Sequence, residues 1–348
     1  MATSLYTIKG EGKKLQGIDE DNLLEIQKEM LQTIKYVDEY AWKKGELGGL
    51  DWGIKSFNEA FDGLQTGLIM VAGQANVGKS SLCMNLAYTI SKANTEITEK
   101  KPNKAYVLYF SLDDNDTDLL PRFIAIDQKI PINVIKAPKK YEDDILKMTK
   151  RAQGMNNLKD RLDYFKIIDS KQGTSIEFIE EQLKRHHLQL QMKDEAYKLV
   201  AIVDNFHDIT VDSQSFSNEN KKYDHISGEI SRICTQLDIP FICTAEFRKL
   251  NGNRRPVVDD IRESVKIAYE AKAILLCYNE VGLRGEAASI YWQRPDVDMK
   301  QPVMEVKVGK NKYSEYKNRL FFEFMPEIAY LKEVPLEGAK RYNQMILS

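Results

Sequence analysis

Eight consecutive residues hold the densest chemistry in the chain: Gly73-Gln74-Ala75-Asn76-Val77-Gly78-Lys79-Ser80. They follow a short apolar run, Leu68 to Ala72, and precede a segment with apolar residues at Leu82, Leu86 and Ile90, which is helical spacing. A buried strand that ends in a glycine-rich turn and opens a helix aims successive backbone N–H groups at one point. The positive end of the helix dipole points there too. This is the pattern of a phosphate-binding loop. Lys79 can reach the outer phosphates, Ser80 can hold the Mg²⁺ that bridges them, and Ser81 follows in the first helical turn. The context predicts that the chain binds a nucleoside triphosphate.

Such a loop needs a second carboxylate to hold the metal through water, at the carboxyl end of a neighbouring buried strand. Leu199-Val-Ala-Ile-Val-Asp204 supplies one, because nothing after Asp204 looks like the helix start that a capping aspartate would require. A second strand, Ala105 to Leu112, delivers Asp113, followed by Asp114, Asp116 and Asp118. A carboxylate at Asp113 could polarise an attacking water. Asp116 and Asp118 read instead as the acidic first turn of a helix.

These strands must be positioned by a larger frame. At 348 residues, with 43% hydrophobic and 29% charged residues, the chain has the composition of an ordinary globular protein. A net charge of −2 gives no global basic field, so any nucleic-acid surface has to be local. The four cysteines form no Cys-x-x-Cys pair, and three sit in apolar runs, which suggests reduced core residues in a cytoplasmic protein. The pair His186-His187 falls in a polar helix, which is not a zinc arrangement. No run reaches membrane-spanning length, and the N-terminus lacks a signal-peptide core.

Residues 1 to 16 read as a loose polar arm and 18 to 44 as an amphipathic helix, ended by Gly45-Glu-Leu-Gly-Gly49. Its apolar stripe has to cover either the main domain or a neighbouring subunit. From Leu50 strands alternate with helices. Strands are expected at Leu68–Ala72, Ala105–Ser111, Tyr164–Ile168, Leu199–Asp204, Pro240–Thr244 and Ala273–Cys277, with helices such as Ser175–His187 and Ile226–Leu237 between them. This is the pattern of a doubly wound, mostly parallel sheet in an α/β fold. After Cys277, strands at Ala287–Gln293, Val303–Val308 and Arg319–Phe324, with no helices between, predict an antiparallel extension. The expected divisions are an arm and helix over 1–46, a nucleotide domain over 47–335 and a tail over 336–348.

Several segments, in order, resemble the ATPase domain of DnaB-type replicative helicases, within the RecA-like superfamily of P-loop proteins. "GGLDWGIKSFNEAFDGLQTGLIMVAGQANVGKSSLCMNLA" resembles that family's entry into its phosphate loop, and "VLYFSLDDNDTDLLPR" its second strand with an Arg nine positions after the catalytic acid. "LVAIVDNFHDI" resembles its Walker B strand, and "HISGEISRICTQLDIPFICTAEFRK" the strand ending in a phosphate-sensing residue. "RRPVVDDIRESVKIAYEAKAILLCYNE" is the most specific match, and "KVGKNKYSEYKNRLFFEFMPE" resembles the closing strands. The likeness spans roughly residues 47 to 333.

The resemblance implies ATP and Mg²⁺ as ligands and a hexameric ring with each nucleotide clamped between two subunits. It also implies translocation 5′ to 3′ along single-stranded DNA in replication, with a helicase loader and a primase as partners. By position, Lys79 and Ser80 are the Walker A residues, Asp204 the Walker B acid, Asp113 the catalytic acid, Arg122 an Arg near the nucleotide and Glu246 the phosphate sensor. Lys310 and Lys312 fall on the pair that reaches into the next subunit's site, and Arg262 and Glu263 on the loop that follows DNA phosphates. The chain departs from the family pattern with Asp for Glu at 113, Glu for Gln at 246, Lys for Arg at 312 and Val for Gly at 265. The family's separate N-terminal helical domain has no counterpart here, and the 18–44 helix resembles its linker helix, which docks on the adjacent subunit.

Cations for DNA phosphates are Arg262, Lys266 and the pair Lys221-Lys222, placed in a polar loop after Walker B, where the pair could equally face water. The basic run Arg248 to Arg255 touches DNA or faces solvent. Two functions follow: an ATP-driven ring helicase, or a ring of KaiC-like or RecA-like type that uses ATP to assemble on DNA or a partner with weak hydrolysis and little unwinding. A small-molecule kinase would need a lid and an acceptor pocket, and no segment offers either.

Overall fold

The computed structural model describes residues 23–43, 46–248, 254–261, 265–295 and 297–347. The chain divides between Glu46 and Leu47 into two compact units. The described part of the first is a helix, α1 (Glu25–Lys43), on which Ile26, Met30, Ile34 and Val37 are exposed. The expected arm over 1–16 lies outside the described residues.

The second unit is built on strands β1 (Gly67–Gly73), β2 (Lys104–Ser111), β3 (Phe165–Asp169), β4 (Tyr197–Asp204), β5 (Pro240–Glu246), β6 (Ala273–Asn279), β7 (Tyr291–Trp292), β8 (Gln301–Asn311), β9 (Arg319–Met325) and β10 (Tyr330–Glu333). Its helices are α2 (Lys55–Phe61), α3 (Lys79–Ala93), α4 (Asp116–Gln128), α5 (Ile132–Lys136), α6 (Ile145–Asp160), α7 (Ile176–Lys193), α8 (Glu219–Leu237), α9 (Val265–Glu270), α10 (Glu280–Arg284) and α11 (Leu336–Leu347). The sheet runs β10-β9-β8-β6-β1-β5-β4-β2-β3, with β7 beside β8. Pairing is parallel from β6 to β3 and antiparallel from β6 through β8 to β10. The α/β architecture expected from alternating apolar runs and helical stretches is the one found.

The uniformly apolar strands reflect burial on both faces. Along β1, Ile69 and Val71 face a core shared with Leu82 and Leu86 of α3, while Leu68, Met70 and Ala72 face one shared with Ile226 and Ile230 of α8. The four cysteines are buried and free.

Beyond Cys277 the structure departs from the sequence reading in three places. Only Tyr291–Trp292 of the strand expected at Ala287–Gln293 pairs, because Asn279 caps α10 by accepting from the Gly282 N–H at 3.0 Å and turns the chain into a helix. The four residues of β10 are too short for a periodic signal. The expected tail is α11, where Ala339, Tyr342 and Ile346 pack on Ile290, Val303, Phe321 and Val334. Among the described residues no helix is long and apolar enough to cross a membrane.

Candidate nucleotide site

Strand register assembles the site. Gly73, at the carboxyl end of β1, stands opposite Glu246 on β5 and Cys277 on β6, and Ser111 at the end of β2 stands opposite Asp204 at the end of β4. The carboxyl ends of these adjacent strands thus share one edge, where open α/β sheets bind ligands.

The loop after β1 turns through left-handed conformations at Asn76 (φ 62°) and Gly78 (φ 104°). Asparagine tolerates that region, and glycine enters it without a Cβ clash. A Cβ on Gly78 would also come within 2.5 Å of the Met304 methyl. Because Gly78 has no side chain to cap α3, the first-turn N–H groups face outward, as an anion requires. Lys79 is only 9% exposed, and its Nζ donates to the Gly73 and Gln74 carbonyls at 3.0 and 2.9 Å. Beside it opens a cleft of about 790 Å³, lined by Asn76, Gly78, Lys79, Ser80, Ser81 and Arg122 and walled by Ile132, Asn279, Val281 and Phe324. Donors, buried cation and volume fit a nucleoside triphosphate. Arg122 donates to Asp114 at 2.7 Å, which aims its guanidinium from α4.

Asp204 is oriented through both carboxylate oxygens. Thr244 on β5 donates to Oδ1 at 2.5 Å and Tyr109 on β2 donates to Oδ2 at 3.1 Å. Burial and the Asp204 charge push the Tyr109 phenol well above its ordinary pKa, so it stays a donor. The Leu112 N–H bonds the Asp204 carbonyl at 2.7 Å, so Asp113 leaves β2 directly beside β4. Glu246 follows as part of the same edge, its N–H donating to His207 Nδ1 at 3.4 Å.

Sequence reasoning missed Asp208, in the 3₁₀ turn Phe206–Asp208 that follows Asp204. Burial raises its pKa first, then the charges of Asp113, Glu246 and Asp204, while Lys222 lowers it. Its carboxylate, held at 2.7 Å by Asn205 Nδ2, joins the acidic edge. Thr244 was also missed, although a hydroxyl inside the apolar run Phe241 to Ala245 was a signal that it had a partner.

Lys221 and Lys222 lie in the first turn of α8, not in a loop, because Asn218 caps the helix by accepting from the Lys221 N–H at 2.9 Å. Lys221 is exposed; Lys222 is half-buried and acts on Asp208, so the two lysines have different surroundings. Lys266 is exposed on α9. Arg262 and Glu263 lie outside the described residues. Arg254 and Arg255 do not simply face water, since both engage carboxylates (Asp260, Glu305 and Glu280).

Lys310 and Lys312 are not brought to this site. Lys312 lines a small recess with Thr66, Gly67 and Lys272 at the amino end of β1. The seven residues of that strand separate it from the phosphate loop by about 20 Å. Lys310 Nζ donates to the Ala268 and Tyr269 carbonyls at 2.6 and 2.8 Å. Burial and the neighbouring Lys312 and Lys272 lower its pKa to about 8.

Residues 49–331 match the model of the DnaB-like helicase C-terminal domain family. The replicative DNA helicase DnaC of Bacillus subtilis (strain 168) is 24% identical over 259 residues, covering 73% of this chain and 52% of that protein. The replicative DNA helicase DnaB of Geobacillus stearothermophilus is 22% identical over 255 residues, covering 72% and 52%. The chain therefore spans about half the length of the curated relatives it matches. Among solved structures, a DnaB-like replicative helicase studied for its interactions with primase has a TM-score of 0.70 at 16% identity, over 93% of this chain and 69% of that one. A separately solved ATPase domain also has a TM-score of 0.70, at 15% identity, over 90% and 100%. At these identities the structural likeness shows the fold, that of RecA-like ATPase domains.

Proposed function

This chain belongs to the family of DnaB-like helicase C-terminal domains, and on that premise we propose that it is the motor of an ATP-driven replicative DNA helicase. The observation that carries the proposal is the division of the machinery between two ends of one sheet: Lys79, Asp113, Asp204 and Glu246 at one, Lys310 and Lys312 at the other. A subunit cannot complete its own site, and a second copy placed head to tail can. The assembly is a closed ring, by family a hexamer, that moves 5′ to 3′ on single-stranded DNA. A loader and a primase are its partners in replication. The exposed face of α1 meets the adjacent subunit.

In this mechanism the N–H groups of residues 74 to 80 and the Lys79 ammonium bind the phosphates, and Arg122 lies at the nucleotide's flank. When bound, Mg²⁺ would neutralise the outer phosphates, with Ser80 as ligand and Asp204 acting through water. Thr244 and Tyr109 keep Asp204 turned toward it. Asp113 accepts the proton of a water that attacks the γ-phosphorus in line, as the bond to the ADP oxygen breaks. Lys310 or Lys312 of the neighbour meets the charge that develops. Arg262, Glu263 and Lys266 serve the DNA phosphates, and Lys221 joins them at the surface; Lys222 answers to the acidic edge instead.

A second reading has its own motive. Asp113 is a methylene shorter than the family's glutamate, and Glu246 with Asp208 adds negative charge beside the phosphates. A ring that binds ATP, assembles on DNA and hydrolyses slowly would have these properties. Steady-state ATP turnover with and without single-stranded DNA, beside unwinding of a 5′-tailed fork, separates the two. DNA-stimulated turnover with unwinding supports the motor. Tight ATP binding with negligible stimulated turnover supports the switch.

A further inference from the structure

The family match ends at residue 331, and α11 (Leu336–Leu347) lies beyond it. The helix turns one stripe, Ala339, Tyr342 and Ile346, onto Ile290, Val303 and Phe321. The Tyr342 and Phe321 ring centroids are 5.4 Å apart. No residue of α11 is itself fully buried, whereas Ile290 and Val303 beneath it are 1% and 0% exposed. α11 is therefore a cover laid over residues that belong to other elements.

Those elements form the back of the nucleotide cleft. Gln301 and Pro302 line the cleft, and their partners across the ladder are Trp292 and Tyr291, the two residues of β7. Pro302 has no N–H to give to this ladder, and the Tyr291 carbonyl accepts from the Tyr342 hydroxyl at 3.1 Å. Val303, the next residue after Pro302, belongs to the seat of α11. Ile290 joins the seat to a second stretch of wall. Its N–H donates to Glu280 at 3.2 Å, and Asn279, Val281 and Gly282 around Glu280 also line the cleft. One helix thus backs both stretches.

This wall differs from the phosphate loop in chemistry. Met299 and Pro302 are apolar, and Met299 is 66% exposed. The Lys300 ammonium is occupied by the Glu286 and Ala288 carbonyls at 2.7 and 2.8 Å. Such a surface suits a flat heterocycle and a ribose better than a polyphosphate. We propose that α11 braces the part of the cleft that receives the base and ribose, with Tyr342 as the positioning residue. The helix sets how much the nucleoside half adds to affinity, and the phosphate loop grips the triphosphate independently of it. A wall already fixed in place does not have to be ordered when the ligand arrives.

The inference rests on the ATP-binding function proposed above. Its test uses the full chain with Mg²⁺ and a fluorescent ATP analogue, displaced by ATP in one series and by inorganic tripolyphosphate in the other. Tripolyphosphate reads the phosphate loop alone. Thermal unfolding confirms that each variant is folded. Tyr342→Ala is expected to weaken ATP about fivefold or more, through loss of one hydrogen bond and a ring contact, and to hold tripolyphosphate within about twofold of wild type. Tyr342→Phe keeps the ring and loses only the hydroxyl, so its ATP affinity is expected to fall between those of Tyr342→Ala and wild type; this milder change carries the test should Tyr342→Ala not fold. Lys340→Ala, on the outer face of α11, is expected to leave both ligands unchanged. Equal weakening of ATP and tripolyphosphate in the Tyr342 variants, or no weakening of either, overturns the inference and leaves the proposed function standing. So does a wild type that holds ATP no better than tripolyphosphate. A wild type that binds neither sinks both.

Discussion

The two ends of the parallel sheet carry opposite charge. At the carboxyl end Asp113, Asp204, Asp208 and Glu246 gather round the phosphate loop, and burial, followed by the charges of the other three, raises the Asp208 pKa. At the amino end Lys272, Lys310 and Lys312 crowd together with Glu270 beside them, and burial, followed by the neighbouring lysine charges, lowers the Lys310 pKa to about 8. At each end the charges of like sign add to the cost of burial. One subunit cannot fold back to join them, because the strand between is rigid and buried. On the proposed function, the chemistry belongs to a pair of subunits, and the sheet serves as a spacer between two half-sites.

The comparison breaks most visibly at the cationic end. Replacing both Lys310 and Lys312 with alanine is expected to lower ATP turnover about a thousandfold while nucleotide binding, followed by fluorescence, changes little, since a cation acting in trans serves the transition state. At the acidic end, Asp113→Asn is expected to cost about a hundredfold or more in turnover, measured under the same saturating ATP. An unchanged rate would shift the base's role away from Asp113. Thr244→Val sharpens the contrast, because it strands one Asp204 oxygen and leaves the fold's apolar packing alone; a loss of about tenfold in turnover is expected.

The smallest effects are on stability and run in opposite senses with pH. Asp208 has a folded pKa above its ordinary 3.8, so its ionised form penalises the fold once pH rises through the folded value. Asp208→Asn should raise the thermal midpoint at neutral pH, and the gain should vanish as pH falls to the ordinary carboxylate range. Lys310 has a folded pKa below its ordinary 10.5, so its charged form penalises the fold at all pH below about 8. Lys310→Met should raise the midpoint of the isolated subunit at pH 7, and the gain should shrink as pH climbs from about 8 toward 10.5.

The parallel core and its phosphate loop were readable from residues alone, because a strand buried on both faces writes itself as an unbroken apolar run and the loop as a fixed spacing. The placement of Asp204 and Asp113 at strand ends was readable for the same reason, as the first charges after such runs. Beyond Cys277 legibility fell, since α10 and β7 depend on a side-chain cap at Asn279 and on the Ile290 contact to Glu280, which no periodicity records. α11 has no fully buried position to advertise it, so it passed for a tail. Asp208 and Thr244 matter through groups far along the chain, and the basic run ending at Arg255 was left between DNA and solvent because its partners, Glu280 and Glu305, are 25 and 50 residues away. Sequence spacing shows what is local; charge compensation across the sheet is not.

The central claim is tested most directly by mixing two inactive variants, Lys79→Ala and the double Lys310→Ala, Lys312→Ala, as separated subunits allowed to assemble together with ATP and single-stranded DNA. Lys79→Ala subunits retain intact lysines for a neighbour, and the double variant retains an intact phosphate loop. The account predicts that turnover recovers toward about a quarter of the wild-type rate, the share of interfaces at which random head-to-tail assembly pairs the two intact halves. A mixture no more active than the sum of its components, in assemblies shown to contain both variants, would contradict it.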